Sequence, residues 1–257
     1  MKKKIQRLVR LINILFFKQN LPEKISLYFH DIDSETFRSI KHLIAIFRYQ
    51  GYKFVSTTEF NNRLNDNTEK IISLSFDDGF KTWKNLLSFF EQNDITATFF
   101  INSIIFTDED KSTYLRRIGG YQHNDLMSID DLQLLIESRH EIGAHTHRHE
   151  TCKSLSDDEL RKEIDLNIQI FKQFEIEPST FAIPFGMRRY IKQNQIHILK
   201  EYFKVICFGE PGMQFRQNPG LIERSPWIVD EDYNFNLNNI STDTYYFNYL
   251  FRRSGLG

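Results

Sequence analysis

Seven short apolar or β-branched runs alternate along this chain with stretches of helical periodicity, and that alternation restricts the fold more than any other feature. The runs are Ile25–Phe29, Tyr52–Val55, Ile71–Phe76, Ala97–Ile101, Glu141–Ala144, Thr180–Ile183 and Lys204–Phe208. Helical patterns fall at Thr36–Tyr49, Thr82–Asn93, Ile129–Ser138, Asp157–Phe174 and Arg188–Tyr202. Ser128 with Asp131, and Ser156 with Glu159, stand at capping-box spacing and mark two helix starts. Strands alternating with helices predict a parallel α/β sheet, and this many units in one domain predict a closed or nearly closed barrel. A chain of 257 residues suits one such domain, taken here as 21–257.

Asn102–Met127 has no clear periodicity and is expected to be a long rim loop of the kind that covers a site. The stretch from Asp230 onward receives no assignment. Lys+Arg 33 against Asp+Glu 34 gives a net charge of -1, so no basic excess points to nucleic acid. Cys152 and Cys207 show no metal or redox spacing. Met1–Asn20 is set apart: Ile5, Leu8, Val9, Ile12, Leu15 and Phe16 recur at helical spacing beside Lys2, Lys3, Lys4, Arg7 and Arg10. Such a basic amphipathic segment suits packing on the domain or contact with a membrane surface. Its apolar run is far below the ~20 residues of a spanning helix. Arg10 interrupts it and no small-residue cleavage pattern follows, so secretion ranks below a cytoplasmic, optionally membrane-associated location.

Chemistry-bearing residues fall just after four of the expected strands. His30–Asp31 follows Ile25–Phe29, and Asp77–Asp78–Gly79 follows Ile71–Phe76. His145–Thr146–His147–Arg148–His149 follows Glu141–Ala144, and Pro184–Phe185–Gly186 follows Thr180–Ile183. The C-terminal strand ends of a parallel barrel form its active-site face, so all four belong on one rim. Singly, each has a bland alternative: a turn for the aspartates, a solvated basic loop for the histidine run, a structural role for His30. Together they offer more. Two imidazoles four residues apart can converge on one ion if the segment curls into a helical turn, and a carboxylate completes a facial site with open positions.

Ser75–Phe76–Asp77–Asp78–Gly79, then His145–Thr146–His147–Arg148–His149, then Phe181–Ala182–Ile183–Pro184–Phe185–Gly186 resemble, in order and separation, the three motifs of the polysaccharide deacetylases, the NodB-like carbohydrate esterases. The resemblance spans roughly Ile25 to Asp230 and implies a deformed (β/α) barrel. It implies that Asp78, His145 and His149 bind a divalent metal, zinc first with cobalt or nickel as alternatives. It implies Asp77 as general base, with His147 beside the ligands or at the surface rather than a third ligand.

The chain departs from the family pattern twice. Many relatives carry Arg at the position of Ala182, where it orients the catalytic aspartate; Arg224, in Arg224–Ser225–Pro226–Trp227, is the candidate replacement. Relatives also end with a leucine-rich strand and an acid histidine, whereas no His follows His197 here. Leu27–Tyr28–Phe29–His30 has that character at the other end, as in the circularly permuted branch of the family, making His30 the candidate acid. Pro184 and Phe185 are expected at the oxyanion or substrate.

These features predict metal-dependent removal of an N-acetyl group from an amino sugar in a polysaccharide or glycan precursor. Two alternatives stand beside it. One is a catalytically silent glycan-binding protein that keeps the fold, suggested by Ala182. The other is an iron-dependent oxygenase, which two histidines and a carboxylate also suit. Trp83 and Trp227 are expected in the core, His123 at the surface, and His42 and His197 on helices.

Overall fold

The structure, a computed structural model, describes residues 21–66, 68–210, 218–229, 231 and 233–241. The amphipathic segment Met1–Asn20 lies outside them. Among the described residues, nine strands form one parallel sheet: β1 (Lys24–Phe29), β2 (Lys53–Val55), β3 (Ile71–Asp77), β4 (Thr98–Ile101), β5 (Glu141–Ala144), β6 (Thr180–Ala182), β7 (Val205–Phe208), β8 (Leu221–Glu223) and β9 (Ser225–Pro226). Their spatial order is β8-β7-β6-β5-β4-β3-β1-β9, with β2 also on β3. β2 pairs the first half of β3 and β4 the second half, so two short strands share one of its edges.

The sheet curls into a nearly closed barrel. Its two edge strands, β8 and β9, are separated in sequence by Arg224 alone, so one six-residue segment joins β7 on one side to β1 on the other. The nearly closed barrel is the expected fold, but the two strands that close it were not expected, because strands of three and two residues are too short to show a period.

Strand alternation sorts the side chains into two layers. Ile72, Leu74 and Phe76 of β3 face the surrounding helices, where Phe76 stacks on Phe29 and Phe99 with ring centroids 5.4 and 5.0 Å apart. Ile71 faces the barrel interior with Phe100, Ala182, Val205, Cys207 and Ile222. Gly143 makes room there: a Cβ on it would lie 2.4 Å from the Phe100 ring.

The helices are α1 (Ser34–Tyr49), α2 (Thr57–Asn62), α3 (Lys84–Gln92), α4 (Ser112–Arg117), α5 (Ile129–Glu137), α6 (Asp157–Lys172), α7 (Gln193–Tyr202) and α8 (Tyr233–Ile240). α1 starts ahead of expectation because Asp33 caps it, accepting from Thr36 N–H. The capping boxes at Ser128 and Ser156 are both present.

Several segments differ from expectation. Arg188–Tyr190 is a separate 3-10 turn, then Ile191 and Lys192 are extended before α7 begins. The Gln195 side chain accepts from Lys192 N–H at 2.9 Å and restarts the helix there. The helix expected at Thr82 likewise opens as a 3-10 turn, Lys81–Trp83, before α3. The unperiodic stretch 102–127 holds a 3-10 turn (Ser103–Phe106) and α4, anchored by buried Tyr114. α8 lies in the unassigned C-terminal stretch. Finally, α2 plugs the N-terminal end of the barrel with Phe60.

Candidate metal and catalytic site

All four polar clusters converge at the C-terminal strand ends. Asp77 is the last residue of β3 and faces inward. A continuing strand would turn Asp78 toward the helices, but its left-handed backbone (φ 86°) brings the second carboxylate into the same cavity. His145 leaves β5, and left-handed Thr146 and His149 (φ 62° and 54°) curl the segment back so that both imidazoles face Asp78. Asp78 Oδ1 lies 3.3 Å from Nε2 of His145 and 3.3 Å from Nε2 of His149. Each residue offers a ligand atom within 4.8 Å of the others.

The state of these atoms suits a cation. His145 Nδ1 lies 2.7 Å from the Ala182 carbonyl oxygen, which can only accept. Nδ1 therefore carries the hydrogen, and Nε2 is the ring atom turned toward Asp78. Burial pushes His149 down to about 4 against the pull of Asp78, leaving it neutral near pH 7. Burial alone would raise the Asp78 carboxyl, but the positive charge that His149, His145 and His30 carry when protonated pulls it well below the usual carboxylate range. Asp78 Oδ1 is buried and accepts no hydrogen bond among the described residues. One buried carboxylate oxygen facing two imidazole Nε2 atoms is the donor set that a divalent ion takes.

Asp77 has a different environment. Arg224 grips it with two parallel bonds, Nη1 to Oδ1 at 2.7 Å and Nη2 to Oδ2 at 2.8 Å. The guanidinium also donates to Ser75 Oγ (2.9 Å) and the Phe208 carbonyl (3.3 Å), and sits 5.0 Å from the ring centres of Tyr28 and Phe100. It is 1% exposed. The barrel-closing segment thus delivers its central residue to the aspartate that the sequence marks as base.

His30 Nε2 stands 4.0 Å from Asp78 Oδ2, with about half of its side chain open to solvent. Its backbone is fastened by Trp83, whose Nε1 donates to the His30 carbonyl at 2.8 Å. Phe185 is exposed, adopts φ 61°, and lies with its ring centre 4.6 Å from that of His149. Its N–H has no acceptor among the described residues. Pro184 is buried and does not line the cavity; the next two residues do. At Gly186 a Cβ would meet Gly209 Cα at 2.7 Å, so this glycine permits two backbones to touch.

These residues bound an open cavity of about 500 Å³. Tyr28, Arg117, Tyr121 and Gly209 also line it and had no sequence expectation as site residues. Tyr28, two positions before His30, carried a signal, since alternation puts it on the same side, and Arg117 and Tyr121 fall in the expected rim loop. His147 is not at the surface: it is fully buried, hydrogen-bonded to Ser103 and Glu109. Trp83 and Trp227 are in the core and His123 is exposed, as expected.

Residues 64–201 match the sequence profile of the polysaccharide deacetylases, and the chain belongs to that family. Solved structures agree on the fold. The deacetylase PplD of Streptococcus pyogenes, solved with acetate, superposes with TM-score 0.62 at 16% identity over 84% of this chain and 97% of its own. IcaB from Ammonifex degensii gives 0.61 at 15% identity over 83% and 94%. The BpsB deacetylase domain from Bordetella bronchiseptica gives 0.62 at 12% identity over 81% and 98%. Comparison with curated protein sequences finds no significant match. Family membership makes the chain a carbohydrate deacetylase by class, a hydrolase whose candidate metal group is Asp78, His145 and His149.

Proposed function

We propose that this protein is a metal-dependent N-deacetylase acting on an N-acetylated amino sugar within a polysaccharide or glycan precursor. The observation that carries this reading is one cavity holding two adjacent carboxylates in opposite roles. Asp78 is bare and faces two imidazole nitrogens, whereas Asp77 is held by a guanidinium.

Asp78, His145 and His149 would hold the ion, zinc by preference and cobalt or nickel by the same donor set. A divalent ion there supplies polarisation of the amide carbonyl and acidification of water, to a pKa of ~7 in favourable zinc sites. Asp77 takes the proton of the attacking water, and Arg224 fixes its orientation in the barrel. The N–H of Phe185, without an acceptor among the described residues, is available to the oxyanion, a contact of the kind whose loss costs about 3–4 kcal/mol. The leaving amine needs a proton, and His30, half-open to the cavity, is placed to donate it.

The pairing of Arg224 with Asp77 weighs against a silent glycan binder, since a guanidinium reaches the aspartate from the residue between β8 and β9 where Ala182 offers none. An iron oxygenase gives no use to the Asp77–Arg224 pair and disagrees with the family. The decisive experiment strips the protein of metal, restores zinc, cobalt or nickel, and follows acetate release from a panel of N-acetylated sugars. Acetate release that depends on the restored ion is expected. Equal activity in the stripped protein, or sugar binding with no acetate from any ion, would overturn the reading.

A further inference from the structure

The rim stretch 102–127, expected at the site, lines the cavity with Arg117, Ile118, Gly119 and Tyr121, and other groups of the same stretch hold the ligand loops from behind. Asn102 donates to the carbonyls of both His145 and Thr146, and Asn167 of α6 donates to Thr146 O at 2.9 Å. Ile104 N–H reaches His147 O at 3.2 Å, and Arg117 Nη1 reaches Arg148 O at 3.0 Å. Every carbonyl from His145 to Arg148 is therefore held from outside the loop. Ser103 Oγ lies 2.8 Å from His147 Nδ1, and Glu109 Oε1 lies 2.9 Å from His147 Nε2. The other Glu109 oxygen binds Arg148, whose Nη1 also pairs with Glu163 at 2.8 Å. The same rim reaches the second ligand loop: Tyr114 of α4 donates its hydroxyl to the carbonyl of left-handed Asp78.

Ser103, His147 and Glu109 have the hydrogen-bond order of a nucleophilic triad, but Ser103 is fully buried and is not part of the site cavity's lining. It cannot meet a substrate. The network instead grips the two segments whose backbones take left-handed turns to aim their ligands.

We propose that Glu109, His147 and Tyr114 are positioning residues of the metal centre. The rim clamps both ligand loops, so that Asp78, His145 and His149 are held around one ion before it arrives. This rests on the metal reading given above. Glu109 is the keystone on the histidine side, because its carboxylate can only accept and so fixes the Nε2–H tautomer of His147. Tyr114 is its counterpart on the aspartate side.

The test measures zinc affinity by competition with a chelator, together with the visible spectrum of the cobalt-loaded protein and the melting temperature of the metal-free protein. Glu109→Ala leaves His147 Nε2–H without its acceptor and should lower metal-free melting, so affinity and spectrum are read well below that transition. Zinc affinity should fall ~10–100-fold, as removal of groups supporting metal ligands typically does, and the cobalt bands should shift. Glu109→Gln keeps an acceptor for His147 and should recover most of the affinity. Tyr114→Phe should weaken zinc binding independently, which keeps the inference testable if one variant folds poorly. Wild-type affinity and an unaltered cobalt spectrum in both Glu109→Ala and Tyr114→Phe would overturn the clamp. If Asp78→Asn abolishes binding in that case, the metal reading survives alone. A wild-type protein that binds no divalent ion would sink both.

Discussion

The two ends of the barrel are built on different terms. At the N-terminal end, polar groups answer one another: Glu141 accepts from Thr58 N–H (3.0 Å), Thr58 Oγ1 (2.6 Å) and Thr98 Oγ1 (2.9 Å), and Thr57 N–H donates to Thr98 (2.8 Å). At the C-terminal end, Asp78 Oδ1 and His149 Nδ1 are buried with no hydrogen-bond partner among the described residues. The backbone shows the same contrast. Seven described non-glycine residues have left-handed φ values. Asp94, Arg139 and Glu175 follow α3, α5 and α6, where such a residue ordinarily ends a helix. The other four, Asp78, Thr146, His149 and Phe185, all belong to the site, and strain of this kind costs on the order of 1–3 kcal/mol each. Left-handed strain away from helix ends thus collects at one end, where the chemistry is expected, while the Glu141 cluster organises the other for stability.

Asp77→Asn breaks this contrast most forcefully. It removes the proposed base and leaves Arg224 buried without its counter-charge. Acetate release should fall by ~10²–10⁴ or more, as loss of general base catalysis does. Stability should fall by about 3–5 kcal/mol for an opened buried pair. Bound metal, measured by elemental analysis at low temperature, should persist, because Asp78, His145 and His149 are untouched. Turnover close to wild type would take Asp77 out of the mechanism.

What the sequence revealed follows the same division. The Asp78, His145 and His149 cluster was visible because its residues lie at strand ends within two short motifs, and short range is where residue spacing carries meaning. The Asp77–Arg224 pair was only a candidate, since 147 positions separate the partners and the strands flanking Arg224 are two and three residues long. The clamp on His147 was missed for a related reason. α4 is six residues, too short for periodicity, and nothing in Arg117 or Tyr114 by itself distinguishes a residue that fastens a loop from one that faces water. α2 escaped for want of length too, although Ser56 and Glu59 stand at capping spacing.

A pH titration sharpens the comparison, because each end carries a buried histidine pushed down to about 4, chiefly by burial. His140 precedes β5 at the N-terminal end, between the rings of Phe90 and Phe99, and its Nε2 has no partner among the described residues. A histidine whose folded value lies below its ordinary 6.5 stays neutral in the fold while the unfolded chain takes up a proton. Its contribution is complete above that ordinary value and drains away as pH falls toward the folded one. Urea unfolding of the metal-free protein should therefore show stability falling between about pH 6.5 and 4. His140→Leu should remove up to ~3 kcal/mol of that fall and leave the His149 share intact. Saturating zinc should steepen the His149 share alone, because protons compete with the ion for its ring. A curve for His140→Leu parallel to wild type would refute the assignment.

The smallest expected effect tests the stabilising end by itself. Thr58→Ala deletes one hydroxyl donor to Glu141, 2.6 Å away, while Thr58 N–H and Thr98 Oγ1 continue to serve the carboxylate. Because Glu141 keeps two donors and Thr58 is half-buried, the cost should sit near ~1.5 kcal/mol, the low end for a hydrogen bond to a charged group. Chemical denaturation should resolve that loss as a lower midpoint with an unchanged slope. Zinc affinity and acetate release should match wild type, since Thr58 lies at the opposite strand ends from the ligands. A drop in either would mean that α2 and the ligand loops are coupled through the barrel. The separation of stability from chemistry along its axis would then fail.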